Sequence, residues 1–68
     1  MSHTTTYDVT GMTCGHCAAS VTEEIEEIAG VERVEVSHEA GTAVVTSAEP
    51  LDRAAVAAAV AEAGYALA

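Results

Sequence analysis

The sequence contains no lysine, no tryptophan and no phenylalanine, and these absences restrict the classes of protein to which it can belong. Arg33 and Arg53 stand against eleven acidic residues, which gives a formal net charge of −9. Nucleic acids and anionic membrane surfaces are bound through clustered basic side chains. The composition therefore excludes both as predicted partners, and the acidity serves either solubility or the attraction of a basic protein.

Long hydrophobic runs are absent as well. No stretch approaches the roughly 18 apolar residues of a membrane span, and residues 1–10 have neither the basic start nor the apolar centre of a secretory signal. The two cysteines are too few for a disulfide framework. We therefore expect a cytoplasmic protein with reduced thiols and without membrane insertion.

The chain is short, and its 68 residues predict a single domain over residues 1–68. A domain of this size buries only about 60% of the surface that its unfolded chain exposes. Tyr7 and Tyr65 are the only aromatic residues, so the core must consist of Val, Ile, Leu and Ala. Such a core leaves no room for a large buried active site.

The two cysteines lie three positions apart in segment 12–17, Met-Thr-Cys-Gly-His-Cys, where a strand pattern changes into a helix pattern. Thiolates are soft donors that select Cu(I), Zn(II) and similar ions. A helix that begins here directs free N–H groups and its positive dipole end toward the sulfurs, which favours the thiolate form. Cys14 and Cys17 are therefore the predicted metal ligands, in an open site rather than a closed four-ligand zinc site.

Hydrophobic periodicity predicts the element order strand, helix, strand, strand, helix, strand. The predicted strands are residues 4–10, 31–37, 42–46 and 65–68. The first helix carries an apolar face and ends at Gly30; the second begins after Asp52 as its N-cap and ends at Gly64. This order predicts an α+β fold, the ferredoxin-like βαββαβ sandwich, with a four-stranded antiparallel sheet and two helices on one face.

Segment 11–17, Gly-Met-Thr-Cys-Gly-His-Cys, resembles the heavy-metal-associated domain when taken with Gly-Val at 30–31 and Gly-Tyr at 64–65. The resemblance covers essentially the whole chain. It implies that Cys14 and Cys17 bind Cu(I) in a near-linear, exposed site. It also implies transfer of the ion to the metal-binding domain of a copper-transporting P-type ATPase, or to a similar protein with a cysteine pair. A chain running from Met1 to just past the last strand is more similar to a bacterial copper chaperone than to an excised ATPase domain.

Three further residues are candidates for auxiliary roles at the site. His16 is either a solvated loop residue, a third ligand, or a bridge to the metal of a second molecule, which would give a metal-bridged homodimer. Met12 is either a thioether ligand or, as we favour, apolar filler beneath the loop. The resemblance places the Tyr65 hydroxyl near the sulfurs, where eukaryotic members often have Lys, so that it shields the ion from water.

Other functions are also compatible with these residues. The same cysteine pair suits a carrier, sink or sensor for Zn, Hg or Cd, although the related mercury carriers are typically exported. A dithiol–disulfide oxidoreductase of thioredoxin type also uses Cys-x-x-Cys before a helix. That enzyme class is less favoured, because the motif has no preceding Trp and the chain is short. No other residues suggest catalysis, so we predict that the protein is not an enzyme.

Two features outside the motif also have competing interpretations. Glu23, Glu24, Glu26 and Glu27 form either a solvated helix face or part of a docking surface for a basic partner. The start Met1-Ser2-His3 is similar to an amino-terminal Cu(II) or Ni(II) chelate, which we regard as an unused tail.

Overall fold

A computed structural model describes residues 2–68, so the chelate suggested by Met1-Ser2-His3 involves a residue outside the described part of the chain. The predicted order of elements is confirmed. The elements are β1 (His3–Thr10), α1 (Gly15–Glu26), β2 (Val31–Ser37), β3 (Thr42–Ser47), α2 (Arg53–Glu62) and β4 (Ala66–Leu67).

The strands form a four-stranded sheet in the order β2-β3-β1-β4, and every neighbouring pair is antiparallel. The two helices pack against each other, with α1 also against β2 and α2 against β4. The predicted ferredoxin-like α+β sandwich is therefore confirmed. None of the helices in residues 2–68 has the length and apolar character that crossing a bilayer requires.

The core lies between the sheet and the helices, and it is aliphatic as expected. The inward residues include Tyr7 and Val9 of β1, Ala43 and Val45 of β3, Val21 and Ile25 of α1, and Val56 and Val60 of α2. Alternate residues of β1 point to the other face of the sheet and are exposed. Burial on one face only fixes the register of the strands, because a shift by one residue would turn the apolar side chains toward water.

The first helix ends earlier than predicted. Gly30 was expected to stop it, but the helix ends at Glu26 with Glu27 as its C-cap. The N–H groups of Glu27 and Ile28 bond to carbonyls three residues back, at 3.3 and 3.0 Å, so the last turn tightens and does not continue. Gly30, with φ of +90°, instead forms the turn into β2.

The second helix has the predicted ends. The Asp52 carboxylate accepts a hydrogen bond of 3.0 Å from the Ala54 N–H, as an N-cap does. Beyond its last residue, the N–H of Gly64 bonds to the Ala61 carbonyl and the N–H of Tyr65 to the Val60 carbonyl. These two bonds constitute a Schellman motif, in which Gly64 adopts a positive φ of +94°.

The last strand is shorter than predicted, because Tyr65 belongs to the Schellman motif and only Ala66–Leu67 pair with β1. This pairing matches Thr10, the last residue of β1, with Ala66. The antiparallel register thus brings the loop after β1 and the end of α2 to the same end of the sheet. The cysteine loop and Tyr65 meet there.

Candidate metal site

The two sulfurs are brought together by the start of α1. Cys14 is the N-cap residue, with extended backbone angles (φ −155°, ψ 174°) and no hydrogen bond from its side chain to the helix. Cys17 lies one turn further, and the Sγ atoms are 3.6 Å apart. Both cysteines are free thiols; Cys14 is exposed and Cys17 is half-buried.

This separation suits a single shared ion. Metal–thiolate bonds of about 2.3 Å allow two sulfurs on one ion to lie up to about 4.6 Å apart. At 3.6 Å the two sulfurs would bind an ion at an S–metal–S angle of about 100°, so a near-linear site requires the Sγ atoms to move apart by up to about 1 Å. The exposed position of Cys14 leaves one side of such an ion open to an incoming ligand.

The environment of Cys17 favours its thiolate form. A hydrogen bond from the backbone amide of Thr13 is the largest cause, followed by the Tyr65 hydroxyl and the Cys14 thiol, and together they lower the pKa of Cys17 to about 6. At neutral pH the Cys17 sulfur is therefore mainly anionic. An anionic sulfur is the form that binds a metal ion.

Tyr65 contributes its hydroxyl from the end of α2. The Schellman motif fixes its backbone, and the half-buried ring packs against the core. Hydrogen bonding with Cys17 is the main reason that the pKa of Tyr65 is raised. The predicted position of Tyr65 near the sulfurs is thus found, and its phenol remains a neutral donor at physiological pH.

Thr13 is a site residue that the sequence analysis did not identify. Its hydroxyl lies 3.9 Å from the Cys17 sulfur, and its backbone amide is the main donor to that sulfur. Thr13 lies just before the N-cap Cys14, so helical spacing alone does not indicate this contact. The backbone contribution carries no side-chain signal, because any residue except proline at position 13 supplies the same N–H.

The two other auxiliary candidates lie in different surroundings. His16 is exposed in the first turn of α1. Within residues 2–68, Cys14, His16 and Cys17 do not converge into a set of three metal-binding side chains. Met12 is buried in the hydrophobic core, at 9% exposure, which is the position expected of apolar filler.

A sequence model of the heavy-metal-associated domain matches residues 6–66 of this chain. Among curated proteins, the chain is 44% identical over 45 residues to the periplasmic component of a mercuric transport protein of Pseudomonas aeruginosa. That match covers 66% of this chain and 50% of the relative, so the matched segment spans about half the length of the curated relative.

Solved structures with the same fold include metal-handling proteins of more than one kind. Oxidized MerP from Ralstonia metallidurans is 35% identical, with a TM-score of 0.87 and coverage of 100% of this chain and 96% of that one. A CopZ metallochaperone is 27% identical, with a TM-score of 0.89 and coverage of 97% and 100%. A copper binding domain from HMA7, a P-type ATPase, is 26% identical, with a TM-score of 0.87 and coverage of 100% and 92%.

Proposed function

Because this chain belongs to the heavy-metal-associated domain family, we propose that it carries Cu(I) between Cys14 and Cys17 and passes the ion to a partner with a similar cysteine pair. The observation that supports this proposal is the pair of sulfurs at 3.6 Å on an exposed helix start, one of them with a lowered pKa. Two soft anionic donors match a monovalent thiophilic ion. The ion is cargo here, taken up and released.

The family is one of metal-binding carriers, which confirms the prediction that the protein is not an enzyme. The alternative of a thioredoxin-type oxidoreductase is therefore removed. Its Cys-x-x-Cys pair remains, but on a ferredoxin-like sheet rather than the thioredoxin architecture.

Capture of the ion begins at Cys17. Its sulfur is already deprotonated at neutral pH, so binding of the ion there releases little or no proton. Cys14 then completes two-coordinate binding as the second thiolate. The finished site has two thiolate charges against one positive charge, and it lies at an exposed end of the domain.

Release of the ion proceeds by ligand exchange. A thiolate of the partner approaches on the Cys14 side and forms a third copper–sulfur bond. The Cys14–copper bond then breaks, and Cys14 leaves as a thiolate. Exchange with Cys17 follows in the same way, after a second partner thiolate binds. No copper–sulfur bond breaks before its replacement has formed, and the ion stays Cu(I) throughout.

The partner that we propose is the metal-binding domain of a copper-transporting P-type ATPase in the cytoplasm, or a similar Cys-pair protein. The support is that a copper binding domain from HMA7, a P-type ATPase, has the same fold, so two like sites can face each other. The same exposure permits a second copy of this chain to share one ion, as a metal-bridged homodimer.

A mercury carrier is the second candidate function. This candidate is supported by the sequence identity of the chain to the mercuric transport component and to MerP. Hg(II) also binds two thiolates, and its divalent charge would neutralise the site fully. Zinc and cadmium are weaker candidates, because these ions usually take four ligands and this site offers two sulfurs.

Competitive titration tests the proposal. Reduced protein would be titrated with Cu(I), Hg(II) and Zn(II) against chelators of graded affinity, with mass spectrometry at each step. We expect one Cu(I) per chain, held against a modest cuprous chelator, and loss of binding in Cys14→Ser/Cys17→Ser. His16→Ser is the matched control beside the sulfurs, and we expect it to retain Cu(I). Failure of the reduced chain to retain Cu(I), with strong retention of Hg(II), would favour the second candidate.

A further inference from the structure

Gly11 lies against the ring of Tyr65 where β1 ends. Its φ is +91°, a backbone conformation that favours glycine. A Cβ built on Gly11 would come within 3.3 Å of Tyr65 Cδ1 and 3.9 Å of Cε1. The Tyr65 ring thus occupies the space that a side chain at position 11 would fill.

The backbone holds the ring in this position from both sides. The N–H of Tyr65 bonds to the Val60 carbonyl at 3.0 Å, which fixes Tyr65 at the end of α2. The Thr10 hydroxyl donates to the Ala66 carbonyl at 3.2 Å, which ties the residue before Gly11 to the residue after Tyr65. With both backbones held, a methyl group at position 11 requires the Tyr65 ring to shift by a few tenths of an ångström, because a carbon contact of 3.3 Å is tighter than an ordinary van der Waals contact.

We propose that Gly11 is a positioning residue for the metal site: the bare backbone at Gly11 is the seat on which the Tyr65 ring lies, and this seat holds the phenol hydroxyl at the Cys17 sulfur. The seat itself is a property of the metal-free fold. Its consequence for metal retention rests on the proposed function, because the phenol then shields the bound ion from water and competing ligands.

Gly30 supplies a matched control. Its φ of +90° is nearly the same as that of Gly11, but a Cβ at Gly30 would meet nothing within 4 Å. Gly11→Ala and Gly30→Ala therefore impose the same backbone strain. They differ in what the new methyl group contacts: the Tyr65 ring in Gly11→Ala, and no neighbouring group in Gly30→Ala.

The first experiment examines the metal-free protein by NMR. The sequence has two tyrosines and three histidines and no other aromatic side chains, so the ring signals can be assigned to single residues. We expect nuclear Overhauser effects from the Tyr65 ring to the Gly11 Hα protons and the Cys17 Hβ protons. The effects to Cys17 should be weaker in Gly11→Ala and unchanged in Gly30→Ala. If Gly11→Ala folds and keeps them at full strength, the proposal is wrong, whatever the metal chemistry.

The second experiment measures the rate of Cu(I) loss to a chelator in excess. We expect Gly11→Ala and Tyr65→Phe to lose copper faster than the unchanged chain, by similar factors, and Gly30→Ala to lose it at the original rate. The double variant Gly11→Ala/Tyr65→Phe should be no faster than the faster single variant, because both changes remove the same contact. Effects that multiply, or a Gly11→Ala rate equal to that of the unchanged chain, would contradict the proposal.

A third variant covers the case in which Gly11→Ala does not fold. Removal of the ring in Gly11→Ala/Tyr65→Ala should restore a fold about as stable as that of Gly30→Ala/Tyr65→Ala, measured by denaturant midpoint. If the double variant with Gly11→Ala stays unfolded while its Gly30 counterpart folds, contact with the ring is not what Gly11 provides. Failure of the unchanged chain to bind copper would affect the second experiment alone.

Discussion

At the scale of single residues, the chemistry of the site depends on how differently its two sulfurs are surrounded. Cys17 receives hydrogen bonds from the backbone of Thr13 and from Tyr65, and its pKa falls to about 6. Cys14 is exposed and makes no helix-capping hydrogen bond. The Cys17 sulfur is thus favoured as a thiolate, and the Cys14 sulfur is accessible to an incoming ligand.

This asymmetry predicts the thiol titration of the reduced protein. Thiolate absorbance in the ultraviolet should rise in a step near pH 6, because Cys17 ionises there. The step should vanish in Cys17→Ser. It should persist in Cys14→Ala at a somewhat higher pH, because this change removes the side-chain hydrogen bond from position 14, one of the smaller causes of the shift. An unchanged step in Cys17→Ser would contradict the assignment.

The same lowered pKa predicts how stability depends on pH. A depressed folded-state pKa stabilises the fold at pH values above the unfolded-state pKa, and this contribution is lost as pH falls through about 6. Stability of the reduced protein should therefore rise between about pH 6 and about pH 8.5, the ordinary cysteine value. Denaturant midpoints across this range would measure the rise, and Cys17→Ser should show a flatter profile.

Removal of the Tyr65 hydroxyl should weaken metal retention. In Tyr65→Phe the pKa of Cys17 rises, so protons compete better with the ion for that sulfur. Loss of one hydrogen bond of ordinary strength corresponds to copper loss faster by about twofold to about tenfold. Loss to a cuprous chelator at pH 7 measures this rate. Tyr7→Phe, in the buried core, is the matched control and should release copper at the original rate.

The residue scale also marks the limit of prediction from sequence. The approach of the two sulfurs, the burial of Met12 and the location of Tyr65 agree with motif and resemblance, while metal binding by Cys14 and Cys17 stays a prediction. The contribution of Thr13 was not predicted, because it comes from a backbone amide that every residue except proline possesses. The seat at Gly11 was also missed, since its partner Tyr65 lies more than fifty residues away in the sequence.

At the scale of elements, periodicity predicted the order of all six elements and the apolar face of α1, and capping residues indicated the ends of α2. The end of α1 was misplaced because a glycine pattern alone does not distinguish a helix stop from a turn into the next strand. The end at Glu26 arises from the tightening of the last turn, which depends on backbone geometry rather than on residue type.

The distribution of charge along α1 opposes its dipole. No basic residue lies in its last turn, and Glu26 and the C-cap Glu27 are exposed there. Acidic groups at a helix C-terminus are unfavourable. The first turn has no acidic residue, and the thiolate of Cys17 takes that position instead.

We therefore expect Glu26→Gln to stabilise the protein by about 0.3–1 kcal/mol. The gain should shrink at high salt, because surface charge effects are screened. Glu39→Gln, an exposed change outside the helices, is the control and should have little effect. Chemical denaturation followed by circular dichroism measures both. Destabilisation by Glu26→Gln would show that these acids stabilise the fold in some other way.

At the scale of the whole molecule, the net charge of −9 is spread over a domain of 33 × 18 × 18 Å. The acidic cluster at 23–27 begins nine residues beyond Cys14, which is about 14 Å along the helix axis. That distance exceeds the Debye length of about 10 Å at 0.1 M salt. At that salt concentration the cluster has little effect at the metal site itself, and it would attract the basic part of a partner that approaches α1.

This placement predicts that added salt slows copper transfer to a basic protein partner mainly through the association rate. Stopped-flow transfer at increasing ionic strength measures the effect. Transfer to an uncharged dithiol such as dithiothreitol is the control, and its rate should respond much less. If transfer to the protein partner is equally insensitive to salt, the acidity serves solubility alone.

The N-cap of α1 has a consequence for the lifetime of the protein. Cys14 and Cys17 occupy the N-cap and N3 positions, where a capping box has a hydroxyl and a carboxylate that brace the first turn. In the metal-free protein the first turn of α1 therefore lacks the capping-box hydrogen bonds. An ion bound by both sulfurs would link the N-cap and N3 residues and stabilise this turn. Because a ligand that binds only the folded state stabilises it by mass action, we expect proteases to degrade the metal-free protein faster than the copper-bound protein. The abundance of the protein would then increase with the concentration of available copper.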